Sequence, residues 1–155
     1  MERILTTKGT KKKQDTKIMS ITKSYLTDLT YQINGAAIEV HKFLGPGLLE
    51  SVYHKCLKKE LTERGISFQS ELLVPIQFKG VELETDFRCD LFIENCIVVE
   101  LKAIETIAPI HHAQLLTYMK LLEIPKGILF NFHTVNLFKE GQKTFVNQYF
   151  KNLEE

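Results

Sequence analysis

The stretch from Arg88 to Lys102 decides the fold, and it reads Arg-Cys-Asp-Leu-Phe-Ile-Glu-Asn-Cys-Ile-Val-Val-Glu-Leu-Lys. Two apolar-rich runs flank the polar pair Glu94-Asn95, a pattern that predicts a β-hairpin. Asp90 lies on the first predicted strand, and Glu100 and Lys102 lie on the second. Because alternate residues of a strand point to the same side, Glu100 and Lys102 project together. The stretch therefore predicts a sheet with charged side chains on one face.

The length of the hairpin loop decides which side chains meet. With a two-residue loop, Asp90 would oppose Val99 and point away from Glu100. With a three-residue loop, Asp90 opposes Glu100 and Arg88 opposes Lys102. The second register also collects apolar side chains on one face: Phe87, Cys89, Leu91, Ile93, Ile97, Val99 and Leu101. A one-residue slip would mix the two faces, so we predict the three-residue loop. Directly opposed carboxylates repel each other, and a divalent cation would offset that repulsion.

The composition is that of one globular domain. The chain has 155 residues, of which 44% are hydrophobic and 25% charged, as in ordinary soluble proteins. No apolar run approaches the roughly 18 residues needed to cross a bilayer, and there is no signal-peptide core. We therefore expect a cytoplasmic protein without membrane association. Three cysteines without a CxxC pair are expected to be reduced core or turn residues rather than redox or metal sites.

The charge is distributed unevenly. Residues 1–24 carry seven Lys or Arg against two acids, whereas the remaining residues have a net charge of −4. We predict a disordered basic tail over residues 1–24 and a single domain over residues 25–155. The tail is either a nucleic-acid-attracting arm or a plain leader, and Met19 is an alternative start.

The order of predicted elements indicates the fold class. Three helices are predicted: from about Leu26 to Leu44, from about Leu48 to Arg64, and over Pro109–Leu122. Thr27 or Asp28 would be the N-cap of the first. Strand-like runs are Phe68–Phe78, Val81–Leu91, Ile97–Lys102 and Lys126–Phe132, with Thr144–Phe150 as either a strand or a helix. This order predicts an α/β (α+β) fold with a mixed sheet flanked by helices, two of them N-terminal to the sheet. A meander would be followed by a helical crossover.

The residue types on the hairpin favour metal-assisted phosphodiester hydrolysis. Carboxylates are the ligands that Mg²⁺ prefers, and the ion keeps several waters. A bound metal lowers the pKa of its water, and an ammonium such as Lys102 can stabilise the charge that develops on the phosphate. A structural ion pair among Asp90, Glu100, Lys102 and Arg88 explains the same spacing equally well.

Further motifs extend the pattern to a family. Asp90, Glu100-Leu101-Lys102, and Gln114 with Tyr118 as Q-x-x-x-Y resemble the PD-(D/E)XK nuclease superfamily. Upstream, Gly47-Leu48-Leu49-Glu50-Ser51-Val52-Tyr53 resembles the G-x-x-E-x-x-Y signature of the GxxExxY protein family. The words Gly35-Ala36-Ala37-Ile38-Glu39-Val40-His41 and Ala113-Gln114-Leu115-Leu116 are also similar to that family. The resemblance covers about residues 25–150.

The resemblance implies a restriction-endonuclease-like core and a metal-dependent nuclease that acts on DNA, or alternatively on RNA. Glu50, Asp90 and Glu100 would hold Mg²⁺, with Mn²⁺ as an alternative, Lys102 would be the catalytic lysine, and Gln114 would support the site. A catalytically silent module that binds nucleic acid or a protein partner is the second interpretation, and a homodimer is left open.

Other polar residues have weaker assignments. His111 and His112 open the third predicted helix, and one of them would contact phosphate or assist proton transfer; otherwise both would only be solvated at the helix start. Arg88 would touch phosphate or form an ion pair with Asp90 or Glu84. Tyr53 and Tyr118 are predicted as supporting residues, half-buried with a hydroxyl hydrogen bond.

Overall fold

A long helix precedes the sheet in the computed structural model, which describes residues 21–155. Helix α1 spans Lys23–Leu44, and the Thr22 side chain caps it by accepting a hydrogen bond from the Tyr25 backbone N–H at 3.1 Å. The predicted N-caps Thr27 and Asp28 are therefore wrong, since both lie inside the helix. The tail predicted over residues 1–24 lies outside the described residues as far as residue 20, and its last two residues belong to α1.

A glycine lies at the end of each of the first two helices, whose predicted ends were Leu44 and Arg64. Gly45, with a φ of 66°, is the C-cap of α1, and Gly65, with a φ of 72°, follows the end of α2, which spans Glu50–Glu63. Glycine adopts positive φ without the steric cost that a Cβ would add. The helical repeat of α1 buries Leu29, Ile33, Ala36, Ala37 and Val40. Phe43 lies outside this stripe and is 82% exposed.

In the described part of the chain, the main sheet has five strands, and two further strands form a separate hairpin. Each of the two long strand-like runs divides in two, because Pro75 breaks the first and the acidic segment after Leu83 breaks the second. The strands before the crossover are β1 (Phe68–Leu73), β2 (Ile76–Phe78), β3 (Val81–Leu83), β4 (Arg88–Ile93) and β5 (Ile97–Lys102). Strands β2 and β3 pair only with each other, whereas the main sheet has the order β1-β4-β5-β6-β7.

A helical crossover joins the two halves of the sheet, as predicted. Helix α3 spans Pro109–Leu122 and connects β5 to the parallel strand β6 (Lys126–Asn131). The predicted bounds of α3 agree with the structure because Pro109 suits a first helical turn. A π-helical turn (Leu137–Gly141), strand β7 (Gln142–Val146) and the short helix α4 (Gln148–Lys151) follow. The mixed sheet with two preceding helices confirms the predicted fold class.

None of the helices within residues 21–155 is long and apolar enough to cross a membrane.

The sheet separates two apolar layers. Leu91, Ile93 and Val99 pack in a core with α1 and α2, whereas Val98 and Leu129 pack with α3 residues such as Tyr118 on the opposite face. Strand β5 is buried over its whole length except at Lys102. A charged side chain within this strand must therefore find partners inside the protein.

In strands β1 and β4, the alternation of side chains between the two faces of the sheet reverses next to Asp90. This reversal corrects one prediction. Phe87 and Cys89 were expected beside Leu91, but they pack in the α3 layer. The reason is the backbone conformation of the paired strand β1, where Glu71 has a φ of 52°. That conformation reverses the alternation, so Phe68 packs against the α1–α2 layer while Leu72 packs against the α3 layer. The three cysteines are free, and Cys89 and Cys96 lie in different layers.

Candidate active site

Asp90 and Glu100 face each other at the end of the β4–β5 hairpin. The pairs Leu91–Val99 and Ile93–Ile97 fix a three-residue loop, whose residues Glu94 and Asn95 have positive φ. Extending that register by one pair sets Asp90 opposite Glu100, which confirms the predicted register.

The two carboxylates replace the backbone pairing at this point of the hairpin. The Asp90 N–H donates to Glu100 Oε1 at 2.8 Å, and the Leu101 N–H donates to Asp90 Oδ2 at 2.8 Å. Each carboxylate therefore binds a backbone N–H of the opposite strand, which fixes the position of both acids.

Burial and mutual repulsion make the carboxylate pair electrostatically unfavourable when both acids are ionised. Glu100 is only 4% exposed. Burial, followed by the charge of Asp90, raises the pKa of Glu100 to about 8, against the opposing effects of the Asp90 N–H and the Lys102 ammonium. Near neutral pH, the pair therefore retains a proton that a divalent cation could replace.

Glu50 lies at the surface as the first residue of α2 and interacts electrostatically with the pair. Burial and the charge of Asp90 raise its pKa, and Lys102 opposes that rise. The helix brings the acid to the site by its N-terminal end, where a negative charge is favoured. Within residues 21–155, however, no group of three or more His, Cys, Asp and Glu side chains is arranged to hold a metal ion. Asp90 and Glu100 are in contact, and direct ligation by Glu50 stays a prediction.

Lys102 ends β5 two residues after Glu100 and is partly buried. Its backbone carbonyl accepts a hydrogen bond from the Phe132 N–H at 2.8 Å, which continues the pairing beyond the end of β6. Its ammonium is the cation that opposes the raised pKa values of both Glu50 and Glu100. Lys102 therefore interacts electrostatically with two of the predicted acids, Glu50 and Glu100.

Gln114 and Tyr118 form a support beneath the strand that carries Asp90. The Tyr118 hydroxyl donates to the Arg88 carbonyl at 2.5 Å and accepts from Gln114 Nε2 at 3.2 Å. Its ring stacks on Phe87 at a centroid distance of 4.4 Å. Burial, then the charges of Glu100 and Asp90, raises the pKa of Tyr118, so the hydroxyl remains protonated. Gln114 contacts Tyr118, and its predicted catalytic role stays a prediction.

Tyr53 braces the loop that leads into Glu50. It is fully buried, and its hydroxyl donates to the Gly45 carbonyl at 2.5 Å and accepts from the Leu48 N–H at 3.1 Å. Its ring stacks on Phe132 at a centroid distance of 4.5 Å and an angle of 13°. The Phe132 N–H also donates to the Lys102 carbonyl. Tyr53 therefore connects the loop that precedes Glu50 to the end of β5 at Lys102.

Tyr53→Phe is expected to lower the free energy of unfolding by about 1–3 kcal/mol, because it leaves the Gly45 carbonyl and the Leu48 N–H without their partner. Urea denaturation measures the change. Tyr31→Phe is the matched control, since Tyr31 is 80% exposed. Equal losses in the two variants would contradict the brace.

Two predicted supporting residues have structural contacts. Arg88 is exposed, donates to the Glu71 carbonyl at 3.3 Å and lies 3.8 Å from Asp86. The expected ion pair with Asp90 or Glu84 is wrong, because the guanidinium turns toward β1. The Ala108 N–H donates to His111 Nδ1 at 2.9 Å. His111 therefore caps α3, a contact that the sequence did not predict, and its proposed contact with phosphate stays a prediction.

Asn131 was missed by the sequence analysis. It is 4% exposed and pairs with Lys102 in the β5–β6 register. Its side chain donates to the Ile104 carbonyl at 2.9 Å and accepts from the backbone N–H groups of Ile104 and His133. It therefore fixes the segment that follows Lys102. A polar residue at the end of the apolar run 127–130 was the available signal.

Comparison with known families matches most of this domain. The model of the PD-(D/E)XK nuclease superfamily matches residues 27–145, a range that includes all the predicted site residues. No significant match was found among curated proteins or among solved structures.

Proposed function

Because the chain belongs to the PD-(D/E)XK nuclease superfamily, we propose that it hydrolyses phosphodiester bonds in nucleic acid, with DNA favoured over RNA. The observation that best supports this activity is the Asp90–Glu100 contact. A buried acid held against a second acid destabilises the fold unless a proton or a cation offsets the charge. If Asp90 and Glu100 served packing alone, uncharged side chains at the two positions would make the fold more stable.

The donor set fits a divalent cation with a preference for oxygen ligands. Asp90 and Glu100 would hold Mg²⁺, and Mn²⁺ would be accepted by the same oxygens. Glu50 would approach the ion from the start of α2, where it already interacts with Asp90. When bound, the metal would lower the pKa of a coordinated water and neutralise charge on the phosphate.

The remaining residues would prepare the substrate and the acids. Lys102 would attract the scissile phosphate and orient the attacking water with its ammonium. Tyr118 would hold the Arg88 carbonyl, and with it the strand that leads to Asp90. Gln114 would act through Tyr118. These side chains come from β4, β5 and α3, so the site would be assembled from the β4–β5 hairpin and the crossover helix.

The test is cleavage of supercoiled and branched DNA, and of a matched RNA, in Mg²⁺ or Mn²⁺ and in excess chelator. Wild type is expected to cleave only with metal. Lys102→Ala is expected to lower the rate at saturating metal by about 10²–10³-fold, the cost of removing one transition-state cation. Lys59→Ala is the control, because Lys59 is an exposed lysine paired with Glu63 on α2. Chelator-resistant cleavage, or an unchanged rate in Lys102→Ala, would overturn the proposal.

A silent nuclease-fold module that binds nucleic acid or a protein is the second candidate. The net charge of −4 outside residues 1–24 favours it, because acidic surfaces repel phosphate. Calorimetric titration with Mg²⁺ and Mn²⁺ distinguishes the two candidates. Metal binding that is lost in Glu100→Gln supports the nuclease, and no heat at millimolar metal supports the silent module.

A further inference from the structure

Edge strand β7 presents a basic side chain on the same face of the sheet as Glu100. Gln142 Nε2 donates to Asn34 Oδ1 of α1 at 3.2 Å, so Gln142 points toward α1. By alternation, Lys143 and Phe145 point to the opposite face, which α3 covers.

The strand register places Lys143 in line with Glu100. Glu100 pairs with Leu129, and Leu129 pairs with Lys143. Directly paired residues lie on the same face, and neighbouring strands are about 4.8 Å apart, so the backbones of Glu100 and Lys143 are separated by about 10 Å. Leu129, which lies between them, is buried against α3, so a nucleic acid strand that reached both residues would pass alongside this helix rather than over the strands.

Phe145 holds two basic side chains together. The Lys143 Nζ lies 5.6 Å from the centroid of the Phe145 ring, and the His112 ring of α3 lies 5.2 Å from it at an angle of 54°. His111 is next in sequence, with Nδ1 occupied by the Ala108 N–H. Burial, followed by the nearby Lys143 and His111, lowers the pKa of His112.

His111, His112 and Lys143 form no close ion pair in the described part of the chain. Among residues 21–155, none of the ion pairs within 4.0 Å includes His111, His112 or Lys143. Basic side chains that are held together without an acidic partner form an anion-binding surface. The first turn of α3 adds the partial positive charge of a helix N-terminus, which favours an anion at the same place.

We propose that His112 and Lys143, positioned by Phe145, bind a backbone phosphate of the nucleic acid strand next to the scissile phosphate. This inference rests on the proposed nuclease function and names a second contact for its substrate. Lysine binds phosphate as a point charge, and contacts of this kind supply most of the affinity of proteins for nucleic acids while they set its register. The bond that is cut would then be the one held over Asp90 and Glu100.

The experiment measures binding of fluorescently labelled single-stranded and duplex DNA by anisotropy, with the full chain in chelator so that no cleavage occurs. Lys143→Gln and His112→Gln together are expected to weaken binding about tenfold at low salt. Each lost phosphate contact should make the plot of log affinity against log salt shallower by about one. Lys120→Gln is the matched control, since Lys120 is an exposed lysine in the last turn of α3. Thermal melting verifies that the variants fold.

The outcomes separate this inference from the proposed function. In the cleavage assay with metal, the double variant is expected to raise KM by about tenfold and to leave kcat within about twofold, because it loses ground-state binding only. Wild type that cleaves DNA, with the same affinity, salt slope and KM in the double variant, would overturn the phosphate contact alone. Wild type that neither binds nor cleaves DNA or RNA would overturn the proposed function.

Discussion

Asp90→Asn is expected to lower the metal-dependent cleavage rate by at least about 10³-fold while the protein stays folded, because it removes one acid of a unit that acts together. The asparagine Oδ1 can still accept the Leu101 N–H, as Asp90 Oδ2 does at 2.8 Å. Its amide can donate to Glu100, where a second negative charge stood before. The substitution therefore removes the charge and preserves the geometry.

Two measurements distinguish this expectation from a folding defect. Cleavage is followed at several Mg²⁺ concentrations, and thermal melting is followed with and without metal. Asp90→Asn should melt at or above the wild-type temperature without metal, and added metal should no longer raise it. Asp86→Asn is the matched control, because its carboxylate is 98% exposed and lies near Arg88 rather than Glu100. Cleavage by Asp90→Asn within a few fold of wild type would refute the assignment of this pair as the metal site.

The sequence predicted the centre of the site because strand alternation constrains it tightly. One apolar face on Leu91, Ile93, Ile97 and Val99 is compatible with only one loop length, and that loop sets Asp90 opposite Glu100. Helix ends were also predictable where their chemistry is local. Pro109 begins α3, and Gly45 ends α1.

Features that depend on distant segments were not predictable in the same way. The face change at Asp90 follows from the positive φ of Glu71, a residue type that rarely adopts this conformation. The brace at Tyr53 depends on stacking with Phe132, which is 79 positions away in sequence. The Thr22 cap was missed because Thr27 and Asp28 precede the first apolar period more closely. Local patterns therefore predicted the acids, while tertiary packing determines what holds them.

The stability of the metal-free protein is expected to fall as the pH rises from about 5 to about 8. Glu100 has an ordinary pKa of 4.5 when unfolded, and the folded protein raises it to about 8. Below pH 4.5 both states carry the proton, so folding involves no difference in charge. Between these values the folded state holds a proton that the unfolded state has released, and each rise in pH then favours unfolding. Glu50, whose pKa is also raised, contributes with the same sign.

Glu100→Gln should remove most of this dependence, because a neutral amide titrates in neither state and can still accept the Asp90 N–H that now donates to Oε1 at 2.8 Å. We expect the variant to be more stable than wild type at pH 8 without metal by on the order of 2 kcal/mol, less than the full shift implies because charged groups in proteins relax. The free energies of unfolding of the two proteins should converge near pH 5.

Mg²⁺ should stabilise wild type increasingly from pH 6 to pH 8, since it displaces the proton. It should leave the stability of Glu100→Gln unchanged. Urea denaturation at several pH values, with and without Mg²⁺, measures each of these differences. The contrary result is a wild type that is most stable at pH 8 without metal, with a parallel curve of stability against pH for Glu100→Gln. It would show that Asp90 and Glu100 do not repel each other, and the physical basis for a cation at this hairpin would be lost.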